Sequence, residues 1–319
     1  MIFNSPDVAS IIIYFSALFG TIGNLIILFA FISNAIRYKI LQPLDRIIVN
    51  MALVNLLLCC FKEISGLLLV FQTRVYGTAG CRILLYTYHT LRLVSICSVE
   101  NLSFIHLIKI RRPSCQWLQY IHSHQGQYTN WTTAGCWIFS IIFHIPYLLC
   151  DSMLNDHNKT ITYFISTNCL TTSKNFYIMF TTYASVSLDL IVIIIVIILN
   201  VFIIDLICKH RRQIRGMLTT LNGHNKHTLQ ATKILLSLLS LYVVCWISSD
   251  VVWVAIVGGF IHNERESKPF NDIYGIFSSI YYSVSSYIII FGYRNIRDHL
   301  SESCWCSKSK KTTVVQIMK

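Results

Sequence analysis

The chain has 319 residues, of which 54% are hydrophobic and only 13% are charged, and its mean hydropathy is +0.57. Because soluble domains carry roughly 25% charged residues, this composition excludes an ordinary soluble domain and predicts an integral membrane protein. The net charge of +12 does not indicate a nucleic-acid partner, since the basic residues lie in short segments between apolar runs and in the C-terminal tail.

Seven apolar segments are long enough to cross a bilayer, whose hydrocarbon core of about 30 Å requires roughly 20 helical residues. The predicted spans are residues 9–33, 47–72, 81–109, 131–151, 175–208, 229–258 and 272–293. They leave no room for a hydrophilic domain. We therefore predict an all-α membrane protein, in which residues 1–293 form a seven-helix bundle and residues 294–319 form a tail that begins with a short amphipathic helix.

The distribution of lysine and arginine predicts the orientation of the bundle. The loops and tail on one side of the spans hold 17 of these residues, and the segments on the other side hold 6. Because positive residues are enriched on the cytosolic side of membrane proteins, we expect the N-terminus outside the cell and the tail in the cytosol. The membrane that the chain crosses several times is expected to be the plasma membrane. The sequon at Asn158 then lies in the second outer loop, where it would accept a glycan. The sequon at Asn130 lies at the cytosolic edge and is not expected to be modified.

Several of the twelve cysteines have an expected role. Cys81 opens the third span on the outer side, and Cys169 lies in the second outer loop, so a disulfide between them would tie this loop over the bundle. Cys150 is a competing partner, and two unpaired thiols are the other alternative. Cys304 and Cys306 end the amphipathic segment of the tail and are candidates for palmitoylation.

Metal binding is not expected. His122 and His124 lie in one short polar loop, and His224 and His227 lie in another, without a third ligand in either loop. No other cofactor motif is present.

Two cations lie inside predicted spans, where an ionisable side chain is costly. Lys62 is ten residues inside the second span and Arg92 is eleven residues inside the third, so both are expected about 15–16 Å below the outer surface. Cations at one depth repel each other unless an anion lies between them. Glu63 is one candidate for this anion, and a carboxylate or sulfate of a ligand is another. An internal pair of Glu63 with Arg92, with Lys62 directed elsewhere, is the structural alternative.

Other side chains are predicted near the same depth. Tyr88 and His89 lie about one turn above Arg92, and Asp250 and Trp253 lie one to two turns below the outer surface in the sixth span. Ordinary packing with a satisfied polar tip is the alternative for these four. The candidate ligand-binding residues are Lys62, Tyr88, His89, Arg92, Asp250 and Trp253.

Three further ionisable residues lie deeper in the predicted bundle. Glu100, His106 and Asp189 are interpreted mainly as interhelical hydrogen-bond partners or conformational switch elements, and contact with a ligand is the less favoured alternative. Gly23 and Asn24, midway along the first span, are suited to close helix packing and an interhelical hydrogen bond.

A series of short motifs occurs in a characteristic order. It comprises Pro43-Leu44-Asp45, the run MALVNLLLCCFKEI, Cys81 through Tyr86 and Arg92 to Ser95-Ile96-Cys97, Arg112-Pro113-Ser114, Cys136-Trp137, and Ala231-Thr232-Lys233 leading into ILLSLLSLY. This series resembles the vomeronasal type-1 receptor family, whose fish relatives are called olfactory receptor class A-like proteins. The resemblance covers spans one to six well and span seven poorly.

Some signatures common in rhodopsin-like receptors are missing. Ile105-His106-Leu107 stands where an acidic residue, an arginine and an aromatic residue are expected, and Ser248 stands where a proline usually follows Cys245-Trp246. Ser286 occupies a position where vomeronasal receptors usually have a proline. The seventh span has no lysine, which excludes an opsin-type Schiff base. These differences bear on the activation switches and not on the fold.

The resemblance implies a chemosensory G-protein-coupled receptor that is not an enzyme, with a pheromone or odorant, a heterotrimeric G protein and membrane lipids as partners. The buried cations favour a small anionic amphiphile as the ligand, held by Arg92 with help from Lys62. Arg92→Ala is then expected to abolish the response without lowering surface expression. The residues expected to face the G protein are Lys109, Arg111, Arg112, Arg211, Arg212 and Arg215. Attraction of anionic lipid and determination of topology are sufficient to explain most of them.

Two other functions compete with this interpretation. Bitter taste receptors are the nearest competing family. A transporter or channel is the competing class, although the internal repeats and broken helices typical of transporters are not visible in the sequence.

Overall fold

The structure is a computed structural model that describes residues 8–38, 41–70, 78–110, 115–149, 161–162, 170–171, 176–216, 222–257, 264–293 and 296. In chain order the elements are α1 Val8–Tyr38, α2 Pro43–Val70, α3 Thr78–Ile110, α4 Gln116–Ser123, α5 Gln125–Phe143, α6 Pro146–Leu149, β1 Ile161–Thr162, β2 Leu170–Thr171, α7 Phe176–Gly216, α8 Asn222–Val257 and α9 Glu264–Gly292. The predicted seven-helix bundle is confirmed, and it is formed by α1, α2, α3, α5, α7, α8 and α9.

Three details of secondary structure were not predicted. The first is that His122 lies in α4, and His224 and His227 lie in the first turns of α8, where polar loops were expected. The strands β1 and β2 form a two-residue antiparallel hairpin in which Ile161 pairs with Thr171. The predicted fourth span is divided into α5 and α6. Pro146 begins α6, and because proline lacks a backbone N–H and disfavours helical geometry in the preceding residue, it explains the break.

Five helices of the described chain contain a segment that is long and apolar enough to cross a membrane. These segments are Ile11–Ile36, Pro43–Glu63, Arg82–Ile110, Phe180–Leu206 and Asp272–Gly292. A shorter apolar segment, Leu236–Val252, lies in α8. Large apolar side chains of α1 and α7, including Phe15, Phe29 and Ile191, are exposed on the outside of the bundle, where lipid would cover them.

The helix α3 lies in the interior of the bundle. It packs against α2, α5, α6 and α7, whereas α1 packs against α2 and α9, and α8 packs against α7 and α9. Of the apolar segment of α3, 72% is buried, compared with 28% for α1. Side chains on α3 can therefore reach several other helices.

Amide side chains connect α3 to its neighbours. Asn55 of α2 accepts a hydrogen bond from Ser95 of α3 at 3.0 Å and donates one to Ser285 of α9 at 3.3 Å. Asn200 of α7 donates to Ser103 of α3 at 3.1 Å. In a membrane such bonds contribute to helix association, because an unpaired polar group in hydrocarbon is costly.

Candidate functional site

Lys62 of α2 is buried near the centre of the bundle, between two tyrosine rings. Its Nζ lies 5.4 Å from the centroid of the Tyr88 ring on α3 and 5.7 Å from that of the Tyr274 ring on α9. The hydroxyl groups of these two tyrosines are 3.0 Å apart and share a hydrogen bond. Cation–π attraction stabilises an ammonium in such a position, although less than a carboxylate would.

Arg92 of α3 is also buried, and it binds carboxylates from two other helices. Its Nη2 lies 2.8 Å from Oδ2 of Asp189 on α7, and the same nitrogen donates to Oδ1 of Asp250 on α8. Both aspartates are buried. The prediction that Asp189 is an interhelical partner is thus confirmed, and the side chain of Asp250 points to Arg92.

The suggested pairing of Glu63 with Arg92 is wrong. Oε1 of Glu63 accepts a hydrogen bond of 2.6 Å from Thr21 of α1. Successive residues of a helix point about 100° apart, so Lys62 faces the interior of the bundle while Glu63 faces α1. Depth along a helix was available from the sequence, but this direction was not.

Trp246 of α8 completes the surroundings of Arg92, and the sequence analysis missed this role. The guanidinium carbon lies 4.4 Å from the centroid of the indole ring. Trp246 and Asp250 are four residues apart and therefore lie on one face of α8. That spacing of an aromatic and an acidic residue inside an apolar segment was the signal available in the sequence.

His89 contacts a different part of the bundle. Its ring stacks on that of Tyr147 of α6, with centroids 4.6 Å apart and an interplanar angle of 5°, and it lies 6.0 Å from the ring of His144. The structure thus separates His89 from the side of α3 on which Tyr88 meets Lys62.

Glu100 and His106 lie in the C-terminal half of α3. His106 is buried, and Glu100 is half-buried. Lys109 is exposed at the C-terminal end of the same helix. Within the described part of the chain, His, Cys, Asp and Glu side chains do not form a group of three that could hold a metal ion.

Other candidate sites lie outside the described residues and stay predictions. These are Asn158, Cys169, Arg111, Arg112, Cys304 and Cys306. The helices include the backbone of Cys81, Arg211, Arg212, Arg215 and Trp253, but their side chains are not among those described.

The charges at the centre of the bundle are unevenly paired. Arg92 meets two carboxylates, whereas Lys62 has no carboxylate within ion-pair distance among the described residues. An ammonium that is held only by aromatic rings in a low-dielectric environment attracts an anion strongly. The region around Lys62, Tyr88 and Tyr274 is therefore the part of the cluster best suited to hold an anionic group.

Comparisons with known proteins agree with the fold and with the motifs. A sequence profile described as the vomeronasal organ pheromone receptor family matches residues 8–301. Olfactory receptor class A-like protein 1 of Danio rerio is 25% identical over 296 residues, which are 87% of each chain. Vomeronasal type-1 receptor 1 of Gorilla gorilla gorilla is 24% identical over 122 residues, 38% of this chain and 34% of the gorilla protein.

The fold also matches a solved structure. The crystal structure of squid rhodopsin aligns with 92% of this chain and 83% of its own, with a TM-score of 0.69 and 15% sequence identity. At this identity the match shows a shared rhodopsin-like fold. The profile match over residues 8–301 establishes that the chain belongs to the vomeronasal organ pheromone receptor family.

Proposed function

We propose that the protein is a chemosensory receptor of the plasma membrane that binds a small anionic amphiphile inside the helix bundle and activates a heterotrimeric G protein. The family is a class of receptors and not of enzymes, and the fold is that of rhodopsin. The names of the two relatives, an olfactory receptor class A-like protein and a vomeronasal type-1 receptor, support a chemosensory role.

The position of Lys62 carries the proposal of an anionic ligand. The ammonium is buried, lies between Tyr88 and Tyr274, and has no carboxylate partner among the described residues. A carboxylate or sulfate on a ligand would form a charge-assisted hydrogen bond with it and offset part of its desolvation cost. The aromatic rings around it would pack against the apolar body of the ligand.

This proposal assigns Lys62 and Arg92 different roles. The sequence interpretation gave Arg92 the main contact with the ligand and Lys62 a supporting one. In the structure, Asp189 and Asp250 already bind the guanidinium. A ligand anion at Arg92 would have to displace a carboxylate, whereas at Lys62 it would displace none.

Signalling in cells that lack related receptors tests the proposal. We would express the full chain with a reporter for several G proteins and apply small aliphatic and aromatic carboxylic acids, each beside its uncharged methyl ester. We expect responses to acids and not to the matching esters. Lys62→Gln should raise the concentration of acid that gives a half-maximal response by about tenfold or more, because it removes a charge-assisted hydrogen bond.

Glu63→Gln is the matched control, since the residue is adjacent in α2 but bonds to Thr21 on α1. It should respond like the unsubstituted receptor at equal surface expression. Equal responses to acids and esters, or an unchanged response of Lys62→Gln, would rule out the anionic site. Ligand-evoked current or uptake without G-protein activation would instead indicate a channel or transporter.

A further inference from the structure

The contacts of Arg92 connect α3 to two other helices. One of them, α8, is not a main packing partner of α3. Arg92 lies on α3, Asp189 on α7 and Asp250 on α8. The helix α8 packs mainly against α7 and α9, whereas α3 packs against α2, α5, α6 and α7. The side chain of Arg92 therefore reaches across the interior of the bundle to hold α8.

The helix α8 holds Arg92 with two side chains one turn apart. Asp250 accepts a hydrogen bond from Nη2, and the ring of Trp246 lies against the guanidinium carbon at 4.4 Å. Trp246 in turn packs on Tyr281 and Tyr282 of α9, with centroids 5.4 and 5.9 Å away. Breaking the contacts of Arg92 would thus release α8 from α3 while leaving α8 packed on α9.

Stability alone is a poor explanation for this cluster. Buried ion pairs are often no more stabilising than apolar residues of similar volume, and their best-attested use is to fix one of several arrangements. The cluster is also incompletely bonded, because Nε of Arg92, Oδ2 of Asp250 and Nε1 of Trp246 are buried without a hydrogen-bond partner among the described residues. Such a network can be broken at lower cost than a fully bonded one.

We propose that Arg92, Asp189 and Asp250 form an ionic clamp that holds α7 and α8 against α3 in the resting receptor, and that opening of this clamp accompanies activation. The link to ligand binding rests on the proposed function. Tyr88, which contacts Lys62, is four residues, about 6 Å, from Arg92 along α3. An anion bound at Lys62 would attract the nearby guanidinium and would therefore weaken its pairing with the two aspartates without taking the place of either.

Separate release of each helix is the first test. Asp189→Asn removes the charge that holds α7, and Asp250→Asn removes the charge that holds α8. Loss of one charge-assisted hydrogen bond should shift the ratio of resting to active receptor by about tenfold, so signalling without any ligand should rise. Asp205→Asn is the matched control, because Asp205 lies on α7 but is exposed and paired with Lys209 at 2.7 Å.

A distance measurement provides a readout that does not depend on a G protein. Nitroxide labels on the exposed Cys115 and Cys208 report the position of α7, and labels on Cys115 and Ser237→Cys report that of α8. Each pair would be studied with all other reactive cysteines replaced. We expect pulsed electron–electron double resonance to show a second distance between the labels of the α7 pair in Asp189→Asn and between those of the α8 pair in Asp250→Asn. Asp205→Asn should show no second distance in either pair.

The outcomes separate the clamp from the proposed function. Unchanged distances and unchanged ligand-independent signalling in both asparagine variants would overturn the clamp. A second distance without signalling in any variant would support the clamp and contradict G-protein coupling. If these variants fail to fold, Arg92→Gln combined with Asp189→Asn and Asp250→Asn replaces them, since it removes all three charges and leaves no buried charge uncompensated. Unchanged distances and signalling there would overturn the clamp equally.

Discussion

Asp45 is a buried carboxylate whose bonds join the start of α2 to the end of α9. It lies near the start of α2 and accepts hydrogen bonds from Tyr293, just after α9, at 2.9 Å and from the backbone N–H of Gln42 at 3.3 Å. Tyr293→Phe removes one donor and leaves the carboxylate with the weaker bond. We expect a loss of about 1.5–3 kcal/mol in the free energy of unfolding, measured by thermal or denaturant unfolding in detergent.

Tyr287→Phe is the control for this prediction. The hydroxyl of Tyr287 on α9 donates to the backbone carbonyl of Phe19 at 3.1 Å in an exposed hydrogen bond, so its loss should cost only about 0.5–1.5 kcal/mol. A larger effect for Tyr287→Phe than for Tyr293→Phe would contradict the importance assigned to Asp45.

Arg92 shows what can be predicted for a single residue. Its apolar surroundings in the sequence predicted a buried cation that faces the interior, and the structure confirms this. Its partners, Asp189 and Asp250, are 97 and 158 residues away, and such pairings depend on helix rotations that no local pattern encodes. The structure therefore reverses one expectation for mutagenesis. Arg92→Ala was expected to spare surface expression, but it would leave two buried carboxylates without a cation and should reduce surface expression.

Helices α1 and α9 approach each other closely at Gly20 and Gly23 of α1. A Cβ at Gly23 would overlap Oγ of Ser286 and lie 3.0 Å from its Cβ. Asn24 beside it donates to the carbonyl of Tyr282 on α9 at 3.2 Å. The predicted roles of Gly23 and Asn24 in close packing and interhelical hydrogen bonding are therefore confirmed.

Gly23→Ala is accordingly expected to force α1 away from α9. Overpacking of this kind costs about 1–3 kcal/mol, which unfolding in detergent would detect. Gly135→Ala on α5 should be neutral, because a Cβ there meets no atom within 4 Å. Combining Gly23→Ala with Ser286→Ala should restore part of the loss, and equal destabilisation by the two glycine substitutions would contradict the close approach.

The helices themselves were more predictable than their interruptions. Long apolar segments determine where a chain can cross a bilayer, which is why each predicted span overlaps a helix. The hairpin of β1 and β2 has only two residues in each strand, too few for a recognisable alternation. The break before α6 depends on a single proline, which the analysis of apolar length ignored.

At the scale of the whole molecule, the orientation in the membrane stays a prediction from the charge count. An epitope tag after Lys319 should stain only in permeabilised cells, and Asn158→Gln should abolish the glycosidase-sensitive form of the protein. Asn130→Gln is the matched control, since its sequon is predicted on the cytosolic edge and its side chain accepts a hydrogen bond from Arg46 at 3.0 Å. Staining of the tag in intact cells would show that the tail lies outside and that the predicted orientation is wrong.

The ion cluster around Arg92 has a further consequence for how the chain is made. Arg92 enters the membrane with α3, but Asp250 is synthesised 158 residues later, which at typical translation rates is roughly 8 to 30 s. During that time the guanidinium lacks the partner on α8, at a cost of about 2.5–3.5 kcal/mol for an arginine at the bilayer centre. Retention of the third helix beside the translocation machinery, or shielding by an insertion chaperone, would avoid this cost until Asp189 and then Asp250 have been synthesised.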